Sequence, residues 1–135
     1  MEFKRNRHAV YKLQYHLVVV TKYRKKCINK DILIRLKEIA HNLFEKWGCE
    51  VIEINGESDH VHILFEAHPQ IELSKAKNNF KTVSSRYIRK EFEEHLKPYY
   101  WKPYFWNRSY CIISTEGTTV EIIKQYIEEQ SQPEA

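Results

Sequence analysis

Residues 60–67 read His60-Val61-His62-Ile63-Leu64-Phe65-Glu66-Ala67, and the reading of this stretch decides the fold. Val61, Ile63, Phe65 and Ala67 alternate onto one face of a strand, so His60 and His62 share the other. Upstream, Asn55-Gly56 is a reversal signal that pairs this strand with a preceding one at Glu50 to Ile54. Before that, Ile32, Leu36, Ile39, Leu43 and Trp47 recur every three or four residues, with Gly48 beyond, as a helix from Asp31 to Trp47 and its C-terminal stop require. Tyr11 to Thr21 alternates Tyr11, Leu13, Tyr15, Leu17 and Val19 against Lys12, Gln14 and His16, the pattern of a first, half-buried strand.

Downstream, Leu73, Ala76, Phe80, Val83 and Tyr87 step by three and four through a second helix from Ile71 to about His95. An aromatic-rich connection after Pro98 leads to a fourth strand, Tyr110 to Thr115, which Gly117 ends. Thr118 and Glu121 have capping-box spacing for a last helix carrying Tyr126 and Gln130. The order strand, helix, strand, strand, helix, strand, then one extra helix predicts an α+β, ferredoxin-like (RRM-like) arrangement. Its antiparallel sheet carries the first two helices on one face, leaving the other for a ligand or a second subunit.

At 135 residues the chain suits one domain, residues 1–135, with no repeat or linker. Hydrophobic residues make up 42% and charged ones 30%, which excludes disordered and low-complexity classes. No apolar run is long enough for a membrane span or a signal-peptide core, so the expected location is cytoplasmic. Cys27, Cys49 and Cys111 are odd in number and form no Cys-x-x-Cys, against both a disulfide framework and a thiolate zinc site. The formal net charge of +4 is mild; its distribution says more. Lys22, Arg24, Lys25 and Lys26 follow the first strand, and Lys75, Lys77, Lys81, Arg86, Arg89 and Lys90 lie on the second helix, where either phosphate contact or an ordinary solvated face accounts for them.

Three features could carry chemistry. His60 and His62 return to one face about 6.6 Å apart, so both imidazoles can converge on one cation at about 2.0 to 2.1 Å. Against that, seven histidines in 135 positions produce about a third of such a pair by chance. Asp59 reads as a turn residue. Tyr126 and Gln130, four apart, lie on one side of the last helix beside the stripe Val120, Ile123, Ile127; packing against Ile122 and a solvated last turn are the competing roles. A phenol is only about 0.1% ionised at neutral pH and needs help to act as a nucleophile. The seven aromatics Tyr99, Tyr100, Trp101, Tyr104, Phe105, Trp106 and Tyr110, among Lys102 and Arg108, suit either base stacking or a covering over the core. Phosphate-loop, dinucleotide, zinc-protease and serine-hydrolase motifs are absent from the sequence, so nucleotide and serine hydrolysis have no support.

Tyr15-His16-Leu17 with Lys22-Tyr23-Arg24, then Asp59-His60-Val61-His62-Ile63-Leu64, Ser84-Ser85-Arg86, Trp106 with Tyr110, and Gln125-Tyr126-Ile127-Glu128-x-Gln130, in this order, resemble the TnpA-type HUH single-tyrosine transposases of small insertion sequences. The resemblance spans nearly the whole chain. It implies that His60, His62 and Gln130 ligate a divalent ion, magnesium or manganese, and that Tyr126 is the nucleophile. Tyr126 would cleave single-stranded DNA through a 5′-phosphotyrosine, release a 3′-hydroxyl and later rejoin strands. It further implies a homodimer that recognises imperfect hairpins at element ends, with Lys22, Arg24, Lys81 and Arg86 contacting the DNA backbone. Two other readings fit the same residues: a hairpin-binding module that does not cut, and a related nuclease serving a host locus.

Overall fold

The computed structural model describes residues 4–5, 10–11, 13–116 and 119–130. Two short strands, β1 (Lys4–Arg5) and β2 (Val10–Tyr11), pair with each other. The main sheet is formed by β3 (Leu13–Val20), β4 (Glu50–Glu57), β5 (His60–Ala67) and β6 (Cys111–Ser114). Its order is β4-β5-β3-β6 and every pairing is antiparallel, as the ferredoxin-like reading requires.

Helix α1 (Lys30–Lys46) starts where the Asn29 side chain accepts the Ile32 amide at 2.8 Å and stops before Gly48, whose φ of 72° a residue without Cβ adopts free of strain. Helix α2 (Leu73–Glu91) ends sooner than its periodicity predicts: Phe92 leaves helical geometry and α3 (Glu93–Leu96) follows as a separate turn. Both long helices cover the face bearing Leu17, Val19, Val61, Ile63 and Phe65, with Ile32, Leu36, Phe44 and Phe80 wholly buried against it. Each such side chain contributes about 1.5 to 3 kcal/mol on burial. The Phe44 and Phe65 rings meet at 4.7 Å, tying α1 to the strand that carries the histidines.

Asn55-Gly56 is not the reversal. Both residues lie inside β4, and the turn falls at Ser58 and Asp59, so Asn55 pairs with His62 and Glu57 with His60. Gly56 serves close approach: a Cβ there would stand 2.9 Å from both the His60 carbonyl oxygen and Leu33 Cδ1 of α1. A register shift between Val51 and Glu53 puts Val51 and Ile54, three apart, opposite Phe65 and Ile63 on the core side.

The second face is not left open. Helix α4 (Val120–Glu128) packs there, seating Ile127 against the fully buried Val18 and Val20, with Cys111, Ile123 and Tyr126 alongside. Thr119 caps it by accepting the Ile122 amide; the expected cap Thr118 and strand stop Gly117 lie outside the described residues.

Burial pushes the Cys27 and Cys49 thiols up to about 11, which leaves about one molecule in a thousand as thiolate at pH 8. Iodoacetamide at pH 8 is therefore expected to leave both unmodified while labelling the urea-unfolded chain fully, with half-exposed Cys111 reacting first in the native protein, as read by mass spectrometry.

Candidate active site

His60 and His62 stand on the α4 side of β5, opposite the core residues Val61 and Ile63. His60 donates from Nδ1 to Asp59 Oδ1 at 2.9 Å, while Asp59 Oδ2 meets Arg24 Nη2 at 3.4 Å. Asp59, 7% exposed, thus fixes the His60 ring and leaves Nε2 available, the arrangement that carboxylates impose on metal-binding imidazoles. Arg24 reaches Asp59 because β3 ends in a single 3-10 turn, Lys22–Arg24, where Tyr23 and Arg24 both adopt positive φ (59° and 52°). Two non-glycine residues there cost about 1 to 3 kcal/mol each. The turn is held by buried Thr21, whose hydroxyl donates to the Lys25 carbonyl at 2.7 Å, and by Tyr100, whose hydroxyl donates to the Lys22 carbonyl at 2.7 Å.

His62 Nε2 lies 2.6 Å from His16 Nδ1, with the rings stacked at 4.8 Å. Burial lowers the pKa of both below the ordinary histidine value, and for His62 the neighbouring His16 and His60 add to the effect. Neutral rings are what ligation needs. Glu57, Asp59 and His60 also offer ligand atoms within 4.8 Å of one another. One imidazole beside two carboxylates is a donor set that suits a divalent cation; His62, whose Nε2 meets His16, lines the same groove but stands outside that group. Neither Glu57 nor the orienting role of Asp59 emerges from the sequence. A strand carried through to Glu57 would have placed it opposite His60, but Asn55-Gly56 reads as the turn.

The histidines open on a groove of about 540 Å³, walled on one side by Val120, Ile123, Lys124, Ile127 and Glu128 of α4 and on the other by Arg24, Asn55 and Glu57. Tyr126 and Gln130 do not line it. They meet a different partner set, in which Tyr126 donates its phenolic proton to Ser109 Oγ at 3.1 Å. Gln130 Oε1 accepts from the Ser109 hydroxyl and from Asn107 Nδ2, the latter at 3.2 Å. Gln130 Nε2 donates to the Tyr126 carbonyl at 2.8 Å. Burial raises the Tyr126 pKa above that of a free phenol, with the Ser109 bond opposing, so the hydroxyl stays protonated at neutral pH. The structure therefore forms two pairs, His60 with His62 and Tyr126 with Gln130, without uniting them in the groove of this chain.

Of the four basic candidates, Arg24 joins the histidine site and exposed Arg86 lines a hollow between α1 and α2 with Arg35 and Lys46. Lys22 Nζ sits over the Tyr23 and Tyr104 rings at 5.1 and 5.2 Å. Lys81 turns its ammonium to the carbonyls of Asn107, Arg108 and Ser109 at 2.6, 3.1 and 3.4 Å. The aromatics divide: Tyr100, Phe105 and Trp106 are buried in the core, whereas Trp101 is 85% exposed, with Lys102 Nζ 4.6 Å from its ring centroid.

Residues 9–130 match the family model for IS200-like transposases. ISDra2 transposase TnpA of Deinococcus radiodurans is 34% identical over 134 residues, covering 99% of this chain and 95% of that protein. The transposase for insertion sequence element IS200 of Salmonella typhimurium is 28% identical over 123 residues, 91% of this chain and 80% of its own. A crystal structure assigned to a transposase from Deinococcus radiodurans superimposes with a TM-score of 0.86 at 33% identity, covering 96% of this chain and 98% of that one. A REP-associated tyrosine transposase bound to a REP hairpin shares the fold, with a TM-score of 0.55 at 10% identity over 93% of this chain and 68% of that one.

Proposed function

The chain belongs to the IS200-like transposase family, and from that premise we propose that residues 1–135 form one catalytic domain that cleaves and rejoins single-stranded DNA through Tyr126. The observation that carries this reading is the pair of inward-held imidazoles, His60 fixed by Asp59 and His62 by His16, facing a groove whose wall is the tyrosine-bearing helix. His60 and His62 would hold a divalent cation, magnesium or manganese, with Glu57 or Asp59 near enough to assist. Such an ion, when bound, supplies positive charge that polarises a phosphoryl oxygen and orients the linkage.

The remaining work falls to the chain itself. The Tyr126 oxygen attacks phosphorus as its phenolic proton passes to water; the P–O3′ bond breaks, the DNA remains as a 5′-phosphotyrosine, and the departing 3′-oxygen takes up a proton from water. Because the ester keeps the energy of the broken linkage, a new 3′-hydroxyl can reverse the step without nucleotide fuel. Tyr126 and Gln130 are held away from their own groove, and this supports a homodimer in which they complete the partner subunit's histidine site, Gln130 lending its amide oxygen as the third ligand. The hairpin in the TM-score 0.55 relative suggests the DNA form recognised here as well: imperfect hairpins at element ends, encountered in the cytoplasm. Among the described residues no helix is long and apolar enough to cross a membrane.

The test is incubation of the protein with labelled single-stranded oligonucleotides from the flanks of its own gene, with and without manganese. A covalent protein adduct on the 5′ side of the cut supports the reading; hairpin binding that ignores chelator and yields no adduct in manganese overturns it in favour of a binding module. Lys22, Arg24 and Arg86 are proposed to approach phosphates, and Lys81 to contribute through the loop it holds. Arg86→Ala is expected to make the dependence of log Kd on log salt shallower by about 0.7, one single-strand phosphate's worth, as measured by fluorescence anisotropy across a salt series.

A further inference from the structure

We propose that Lys81, acting through the loop 107–109, is a positioning residue that sets Tyr126 and Gln130 as one unit for strand transfer; the proposal rests on Tyr126 being the nucleophile. Three successive carbonyls, those of Asn107, Arg108 and Ser109, converge on the Lys81 ammonium. Outside regular structure such carbonyls need partners, and one tetrahedral ammonium with three donors satisfies all of them. The same loop is tied on two more sides. The Asn107 amide donates to the Val20 carbonyl at 2.7 Å, and Trp106 Nε1 donates to the buried Ser84 hydroxyl of α2 at 2.9 Å.

Within the loop, Asn107 Nδ2 donates to Ser109 Oγ at 3.1 Å, and the two side chains jointly hold the Gln130 amide oxygen. Ser109 Oγ is at the same time the acceptor of the Tyr126 phenol. A single hydroxyl therefore touches both groups that the chemistry requires, and its backbone is pinned by a side chain of α2, a helix on the opposite face of the sheet. Loss of the ammonium frees three carbonyls and lets the loop relax; a displacement of about 1 Å at a reacting group can cost up to about 100-fold in rate. Lys81 is half-buried, and burial with the nearby Lys77 ammonium lowers its pKa to about 8, so at neutral pH the side chain is still mostly the ammonium that the three carbonyls accept from.

The experiment uses the full chain carrying Lys81→Met, which keeps the aliphatic stem, and in parallel Ser109→Ala, which removes the shared hydroxyl while leaving the Lys81 contacts to backbone. Hydrogen exchange of residues 120–130 is read without DNA; the single-turnover rate of adduct formation at saturating oligonucleotide and the hairpin Kd are read with it. Both variants are expected to exchange faster across α4 and to form adduct on the order of 10-fold to 100-fold more slowly, with Kd within about twofold of the parent. Unchanged exchange in α4 overturns the proposal, as does parental adduct formation in Lys81→Met. A weakened Kd with a shallower salt slope and unchanged exchange makes Lys81 a phosphate contact instead. Should the parent itself form no adduct while Lys81→Met still loosens α4, the link to strand transfer is overturned together with the nucleophile assignment. If the parent forms adduct and Lys81→Met leaves α4 untouched, the nucleophile assignment stands and only the positioning role falls.

Discussion

Tyr126→Phe is expected to fold as the parent does, to bind hairpin DNA with unchanged affinity and to form no covalent adduct at all. The substitution removes one oxygen. The ring keeps its place beside Val18, Val20 and Ile127, so packing is retained and the loss is the single bond to Ser109, about 0.5 to 1.5 kcal/mol. The chemical loss is total because phenylalanine offers no atom that can bond to phosphorus. Gel analysis of labelled DNA in manganese, with a thermal melt of the same sample, checks both halves. An adduct that persists in this variant would show that another side chain attacks, and Tyr126 would revert to a packing residue.

His62→Ala is the second large loss, and it should leave hairpin binding intact. Removing this imidazole takes away one expected ligand and leaves His16 without its partner at 2.6 Å. Transition-state charge stabilisation by a bound cation amounts to several kcal/mol, so adduct formation is expected to fall on the order of 1000-fold. Excess chelator should bring the parent to the same level. Asp59→Asn, which weakens the support of His60 and the contact to Arg24 while leaving both imidazoles in place, is expected to cost less, about 10-fold to 100-fold in manganese affinity. Calorimetric titration with manganese and the adduct assay together rank the three. Parental cleavage by His62→Ala in the presence of chelator would sink the cation reading.

Periodicity was a good guide to the sheet and a poor one to its edges. The alternation in residues 60–67 correctly separated the histidines from Val61, Ile63 and Phe65, because period two is a property of the backbone itself. The turn failed for a local reason: Asn55-Gly56 has turn chemistry, but Gly56 is there to admit Leu33 and the His60 carbonyl, a tertiary demand that no short window displays. That misplacement hid Glu57. Val18 and Val20 continue the row that begins with Lys12, Gln14 and His16, yet both are wholly buried, since what covers them is a helix a hundred residues downstream. The Lys81 contacts and the left-handed pair Tyr23 and Arg24 were equally invisible, being set by distant carbonyls and hydroxyls.

Helix α4 rests on the sheet through Val18, Val20 and Ile127, whereas the opposite face is sealed by phenylalanines and branched aliphatics from two long helices. Free energies of local opening follow the apolar area each unit buries. The segment that bears Tyr126 therefore opens at a lower free energy than the platform it rests on, so amide exchange across α4 is expected to outpace exchange in the strands and in the two long helices.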